Sequence, residues 1–339
     1  MSHCWRSPRL GQAMRRRDFI KGISCSATAW PLKARAQSAI PVVGYVGTGE
    51  PEALQELMAA FRRGLKEMGY VEEQNIKIEY RFAEGRYNRL PALAAELVQR
   101  HVAVIVTTGG SRAALAAKAA TNKIPIIFSA GDDPVETGLV SSLNRPGGNI
   151  TGATFLTSVL EGKRLELLHE LLPSVGLIAL LTNPNSGSAK AQVQQAQEAA
   201  NRLGVKLLVL NAVNEDEIDN SFEKMMSEGA KALLVGSDAF FFSQRKQFVV
   251  LTARYVLPAI YQLREFTTDG GLMSYGTSVT EAYHQVGIYT SRVLNGEKPG
   301  DLPVVQPSKF ELVINLRTAK ALGLTFPNAV QLLADEVIE

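Results

Sequence analysis

Cysteine is almost absent from this chain. Of 339 residues only Cys4 and Cys25 carry a thiol, and both fall within the first 36. Past that point no disulfide, thiol nucleophile or cysteine metal site can form. Histidine is nearly as scarce: His101, His169 and His284 are far apart and lack the spacing of a ligand set, so no metal is expected. No phosphate loop ending in Gly-Lys-Ser/Thr occurs, nor a Gly-x-Ser-x-Gly nucleophile elbow. Gly44-Tyr45-Val46-Gly47-Thr48-Gly49 shares only its glycine count with a dinucleotide loop. With no cofactor motif, the remaining general bases are isolated carboxylates such as Glu50 or Asp133. A chain that binds a molecule is expected, not one that transforms it.

Excess positive charge is missing as well, once the N-terminus is set aside. Residues 1–36 hold eight of the 36 Lys+Arg and one of the 33 Asp+Glu, leaving 28 against 32, a formal −4. No basic run with interleaved aromatics survives, which argues against nucleic acid as a partner. The basic segment itself has the order of an export signal. Arg15-Arg16-Arg17-Asp18-Phe19-Ile20-Lys21 reads as a twin-arginine motif. A weakly apolar stretch from Gly22 to Trp30 follows, then the small-x-small site Ala34-Arg35-Ala36. That stretch is too short for a bilayer span, which needs roughly 20 apolar residues. Residues 1–36 are therefore expected to be a signal peptide, with Met1 or Met14 as the start and a periplasmic chain beginning near Gln37. Acylation at Cys25 is disfavoured by the short apolar run ahead of it.

The remaining roughly 300 residues exceed one typical domain. Short β-branched runs alternate with amphipathic segments throughout. Strands are expected at Val42–Val46, Ile76–Tyr80, Val102–Val106, Ile124–Ser129 and Ile150–Phe155. A second series comprises Leu177–Leu181, Lys206–Leu210, Ala232–Val235, Pro258–Tyr261 and Gly271–Ser274, with a late strand at Phe310–Asn315. Runs apolar on both faces, such as Val102–Val106, belong in parallel sheets covered on both sides. Between them, Leu54, Leu57, Met58, Phe61, Leu65 and Met68 form one helical stripe closed by Gly69. The pattern predicts an α/β chain of two doubly wound parallel-sheet lobes. The first lobe is placed at 37–154 plus 277–307, the second at 155–276 plus 308–339. Three crossovers, near Gly152–Thr157, Ser274–Ser278 and Gln306–Lys309, would then act as hinges.

Ligands in parallel α/β sheets sit beyond the carboxyl ends of strands. Those positions carry Gly47-Thr48-Gly49-Glu50, Thr107-Thr108-Gly109-Gly110-Ser111 and Ala130-Gly131-Asp132-Asp133-Pro134 in the first lobe. The second lobe offers Thr182-Asn183-Pro184-Asn185-Ser186-Gly187 and Gly236-Ser237-Asp238. The glycines before Ser111 leave backbone N–H groups free at a helix start, which suits a carboxylate or other anion. Asp238 suits an ammonium or hydroxyl group, or else caps the next helix. Asp132-Asp133-Pro134 reads first as a helix start, and Phe240–Phe242 first as core packing, with stacking on a ligand as the alternative.

Gly138-Leu139-Val140-Ser141-Ser142-Leu143-Asn144-Arg145-Pro146-Gly147-Gly148-Asn149-Ile150-Thr151-Gly152 resembles the signature of a family of ABC-transporter substrate-binding proteins, its TrpX-like branch. Gly270-Gly271-Leu272-Met273-Ser274-Tyr275-Gly276, the tail from Lys309 to Leu324, and Ala334–Ile338 resemble it too. The resemblance implies the type I periplasmic binding protein fold, with a ligand held between two lobes and delivered to a membrane permease. Carried over by position, Thr48, Gly110, Ser111 and Asp133 would face Asn185, Ser186 and Asp238 across a cleft, with Tyr275 beside a crossover. A small polar ligand is implied, an amino acid or related carboxylate, bound by a monomer without a cofactor. The alternatives are a ligand-sensing partner of a membrane receptor and a periplasmic enzyme. The export reading is checked by replacing Arg15, Arg16 and Arg17 together with lysine. The precursor should then accumulate in the cytoplasm, and mass spectrometry of the exported wild type should find its N-terminus near Gln37.

Overall fold

Backbone pairing sorts the strands into two sheets. A computed structural model describes residue 1 and residues 40–339, so the signal segment, its cleavage site and both cysteines lie outside the described residues. Residues 40–339 form one compact unit.

The first sheet contains β1 (Val42–Gly47), β2 (Lys77–Phe82), β3 (Val104–Thr108), β4 (Ile126–Ala130) and β5 (Ile150–Thr154). Their order is β2-β1-β3-β4-β5, all parallel. The second sheet contains β6 (Leu177–Thr182), β7 (Lys206–Asn211), β8 (Ala232–Val235), β9 (Ala259–Tyr261), β10 (Met273–Gly276), β11 (Glu311–Asn315) and β12 (Glu336–Ile338). Here the order is β12-β11-β10-β9-β8-β6-β7, and only the β10–β11 pair is antiparallel. Both sheets carry helices on their faces, because their strands are apolar on both sides: β3, β4 and β8 are buried at every position.

Several strands run one or two residues further toward their carboxyl ends than hydrophobicity predicts. Thr107 and Thr108 stay in the β3 ladder beside Val46 and Gly47 of β1. A polar side chain does not end a strand whose backbone still has neighbours on both edges. The short β12 was not expected as a strand; it pairs in parallel with β11 at the sheet edge.

Helix α1 (Gln55–Glu67) buries Leu57, Met58, Ala60, Phe61, Gly64 and Leu65, and ends where Gly69 takes a φ of +88°. The helices α2 (Leu90–Gln99) and α3 (Ser111–Ala120) follow β2 and β3. In the second lobe come α4 (Glu161–Leu171), α5 (Ala189–Leu203), α6 (Glu215–Ser227), α7 (Ala239–Ser243), α8 (Arg245–Arg254) and α9 (Arg264–Thr268). The long α10 (Val279–Leu294) returns to the first sheet and lies against α1, while α11 (Leu316–Ala321) and α12 (Asn328–Leu333) close the second lobe. The α1–α10 crossing is tight enough to require glycine. A Cβ on Gly287 would sit 2.2 Å from the Phe61 carbonyl oxygen, and one on Gly64 2.1 Å from that of His284.

The chain passes between the sheets after β5, after β10 and before β11, and these three passages are bonded to each other. Val305 pairs with β5 through Thr154 N–H to Val305 O at 2.8 Å and Val305 N–H to Gly152 O at 2.9 Å. The Thr277 hydroxyl donates to Phe155 O. Arg164 on α4 then ties two passages to one loop. Its guanidinium donates to Thr157 O at 2.6 Å, to Tyr275 O at 3.1 Å and to Ser237 Oγ at 3.0 Å. Its counter-charge is Glu161, 2.8 Å away, and both side chains are fully buried. Glu161 in turn accepts the Ser237 N–H. Removing one member of such a pair strands a charge, at a cost of about 3–5 kcal/mol. Arg164→Met should therefore lower the melting temperature by roughly 10 °C. Glu161→Leu added to Arg164→Met should recover part of that loss, as thermal unfolding would show.

Candidate functional site

The carboxyl ends of both sheets point toward one another, and a cavity of about 660 Å³, its open mouth included, lies between them. From the first sheet it is lined by Thr48, Tyr87, Gly110, Ser111, Asp132 and Phe155. From the second come Ser186, Gly187, Ser237, Asp238 and Gln262. Leu54 and Leu57 of α1 and Val279 and Tyr283 of α10 add apolar surface.

Thr48, Gly110, Ser111, Ser186 and Asp238 are thus brought together, whereas Asp133, Asn185 and Tyr275 are placed elsewhere. Asp133 turns away to cap the following turn, accepting the N–H groups of Val135 at 2.8 Å and Glu136 at 3.2 Å. Its neighbour Asp132 faces the cavity. Asn185 is exposed, and its N–H donates to Asn183 Oδ1 at 3.0 Å. The buried Asn183 reaches Asp238 instead, 3.0 Å from Nδ2 to Oδ1. Tyr275 stacks on Phe310, ring centres 6.2 Å apart, and only its carbonyl takes part in the Arg164 network.

The glycine turn before α3 is built differently from an open anion site. Gly109 and Gly110 take φ values of +83° and +115°, and a Cβ on Gly109 would lie 1.8 Å from Thr48 Oγ1. The Ser111 N–H and hydroxyl both donate to Asp132 Oδ2, at 3.1 Å and 2.5 Å. A carboxylate of the chain itself therefore occupies the position at the helix N-terminus that the sequence reserved for a ligand anion. Only 6% of Asp132 is exposed, and its carbonyl is held by the Thr154 hydroxyl at 3.1 Å.

Asp238 is the N-cap of α7, its Oδ1 accepting from Phe240 N–H at 3.0 Å and Phe241 N–H at 3.3 Å. The Tyr87 hydroxyl donates to its Oδ2 at 2.6 Å from the opposite lobe. The group is partly buried in the cavity wall, and that desolvation raises its pKa against the pull of four hydrogen bonds. Burial also pushes the Tyr87 phenol well up, and the Asp238 charge adds to the shift. Behind the cavity, Tyr45, Thr108 and Tyr283 join hydroxyls, and burial pushes the Tyr283 phenol up to about 12. Beneath α7, Phe241 packs edge-on against Phe248 and Phe242 against Phe266. Phe240–Phe242 are core residues, with Phe242 also lining the cavity.

The rims touch. The Glu50 N–H donates to Ser243 Oγ at 3.3 Å, Gln244 Nε2 to Glu50 Oε1 at 3.3 Å, and Arg245 Nη1 to Ala53 O at 3.4 Å. A Cβ on Gly187 of the second lobe would lie 2.9 Å from Ser111 Oγ of the first. Tyr87 and Gln262 were missed by the sequence reading. Both follow strands at their carboxyl ends, yet neither loop has the small-residue composition that marks the others. Among the described residues no group of His, Cys, Asp and Glu is disposed to hold a metal ion, and no helix is long and apolar enough to cross a membrane.

This arrangement has known counterparts. A tyrosine-binding protein of Clostridioides difficile is 28% identical over 275 residues, covering 81% of this chain and 79% of that protein. A domain of an ABC system from Streptococcus pneumoniae, solved with L-Trp, superposes with a TM-score of 0.79 at 26% identity, covering 88% and 99% of the two chains. A conserved domain protein of Vibrio cholerae gives 0.80 at 28% identity over the same shares. Residues 18–338 match the family described as ABC transporter substrate binding protein. The chain belongs to that family of substrate-binding proteins, with its type I two-lobed fold.

Proposed function

We propose that this chain captures a free amino acid or closely related zwitterion between its lobes, outside the cytoplasm, and delivers it to an ABC permease. The observation that carries this reading is the Asp132 carboxylate. All of its hydrogen bonds fall on Oδ2, so Oδ1 remains to receive an ammonium group in the cavity. Arg112, in the first turn of α3, lines the same cavity, and its charge reaches the Tyr87 hydroxyl. Its guanidinium, not the α3 N-terminus that Asp132 already fills, supplies the partner for a ligand carboxylate. One acid after β4 and one base after the neighbouring β3 match both ends of a zwitterion and leave no net charge buried. Leu57, Phe155, Phe242 and Leu263 give the ligand side chain an apolar surface. The C. difficile and S. pneumoniae relatives, named for tyrosine and crystallised with tryptophan, support the same ligand class.

Asp238 takes a structural part in this scheme, holding the second-lobe loop and, through Tyr87, the closed position. A ligand that contacts both loop sets binds the closed form better than the open one and so shifts the equilibrium toward closure. Thr48, Gly110, Ser111 and Ser186 form the wall against which it is held.

Calorimetric titration of the chain from Gln37 with L-amino acids tests the reading. Asp132→Asn should weaken binding about 10- to 100-fold, the equivalent of a lost charge-assisted hydrogen bond of roughly 1.5–3 kcal/mol. Asp133→Asn, one residue away but outside the cavity, should leave affinity unchanged. Equal effects from the two substitutions, or none from the first, would sink the ammonium assignment.

A further inference from the structure

We infer that Gln262 is the residue that selects the ligand, favouring an apolar side chain that ends in a single hydrogen-bonding group. This inference rests on the amino-acid reading above. Gln262 lies just past β9 in the cavity wall and is 2% exposed. Neither its Nε2 nor its Oε1 has a hydrogen-bond partner, and among the described cavity-lining residues no other side chain has polar atoms that are both buried and unpartnered. Other polar groups of the wall are already paired: Thr48 Oγ1 donates to Gly109 O, Ser237 Oγ accepts from Arg164, and Tyr283 joins the Thr108 and Tyr45 hydroxyls.

The cavity that Gln262 lines also has apolar surface, from Leu57, Phe155, Leu263, Val279 and the Tyr283 ring. An unpaired buried amide is costly and is relieved by any ligand that brings a donor or acceptor to it. A ligand with the same ring but no polar atom leaves the amide buried and unsatisfied. A site of this kind rejects the analogue that lacks the group far more strongly than it rejects a small change of size. The Gln262 Oε1 can accept from a phenol O–H or an indole N–H alike.

The probes are L-tyrosine, L-tryptophan and L-phenylalanine, titrated calorimetrically into the chain from Gln37. Wild type should prefer tyrosine or tryptophan to phenylalanine by about tenfold or more. Gln262→Met, near in volume but apolar, should abolish that preference by weakening the polar ligands and strengthening phenylalanine. Gln262→Glu, which still accepts a hydrogen bond, should keep a preference for the ligands that donate one. An unchanged ratio in Gln262→Met, with binding retained, would overturn this inference and leave the amino-acid reading standing. Failure of wild type to bind any amino acid would overturn both.

Discussion

The two lobes are organised around one buried ion pair. Arg164 and Glu161 are both fully enclosed, and a charge in that position is tolerated only when its hydrogen-bonding capacity is filled. The structure fills it with groups from distant parts of the chain: Thr157 from the first crossover, Tyr275 from the second, and Ser237 from a loop that lines the cavity. An apolar pair of similar volume would pack as well. It would not fix the positions of three separate backbone segments relative to one another. The ion pair thus converts helix α4 into a reference frame for two of the three passages between sheets and for the loop that carries Asp238.

The closure proposed above would be reversible on this frame. The contacts within it are buried and numerous, whereas those across the rim are few, long and half-exposed. The bonds from Glu50, Gln244 and Arg245 measure 3.3–3.4 Å, and each such bond contributes only about 0.5–1.5 kcal/mol net. Of these rim bonds among the described residues, the Tyr87–Asp238 bond is the short one, and it is made by a carboxylate that burial already penalises. Rim contacts of this strength would steady the proposed closed form without locking it, which leaves the balance to whatever fills the cavity between them.

The layout of the fold was legible because its strands are apolar on both faces and its helices carry single stripes. Val102–Val106 announces a buried parallel strand, and Leu54 to Met68 a helix, without reference to anything distant. The loops that line the cavity could be located for the same reason, as the polar segments at strand ends. Which side chain within a loop faces the cavity was not legible. Asp132 and Asp133 are adjacent and chemically identical, and the choice between them depends on where β4 stops and on the turn that Asp133 caps. Asn183 and Asn185 pose the same problem, decided by the reach to Asp238. Arg164 and Glu161, three residues apart, carry no mark of burial in the sequence; only the third dimension makes them internal.

The same reasoning separates two acids that look alike in sequence. Helix N-termini attract carboxylates, and in this cavity both of the helices that open onto it from β3 and β8 have taken one from the chain itself, Asp132 for α3 and Asp238 for α7. Asp238 spends both oxygens on its cap, on Asn183 and on Tyr87, so it shapes the wall and offers no free acceptor. Asp132 spends one oxygen. An N-terminus that has already accepted a carboxylate is a poor place for a second, and the carboxylate it has accepted is, in turn, held in fixed orientation toward the cavity. In the proposed function the helix dipole thereby favours a cation at one remove: it holds the anion in place, and the anion would supply the recognition.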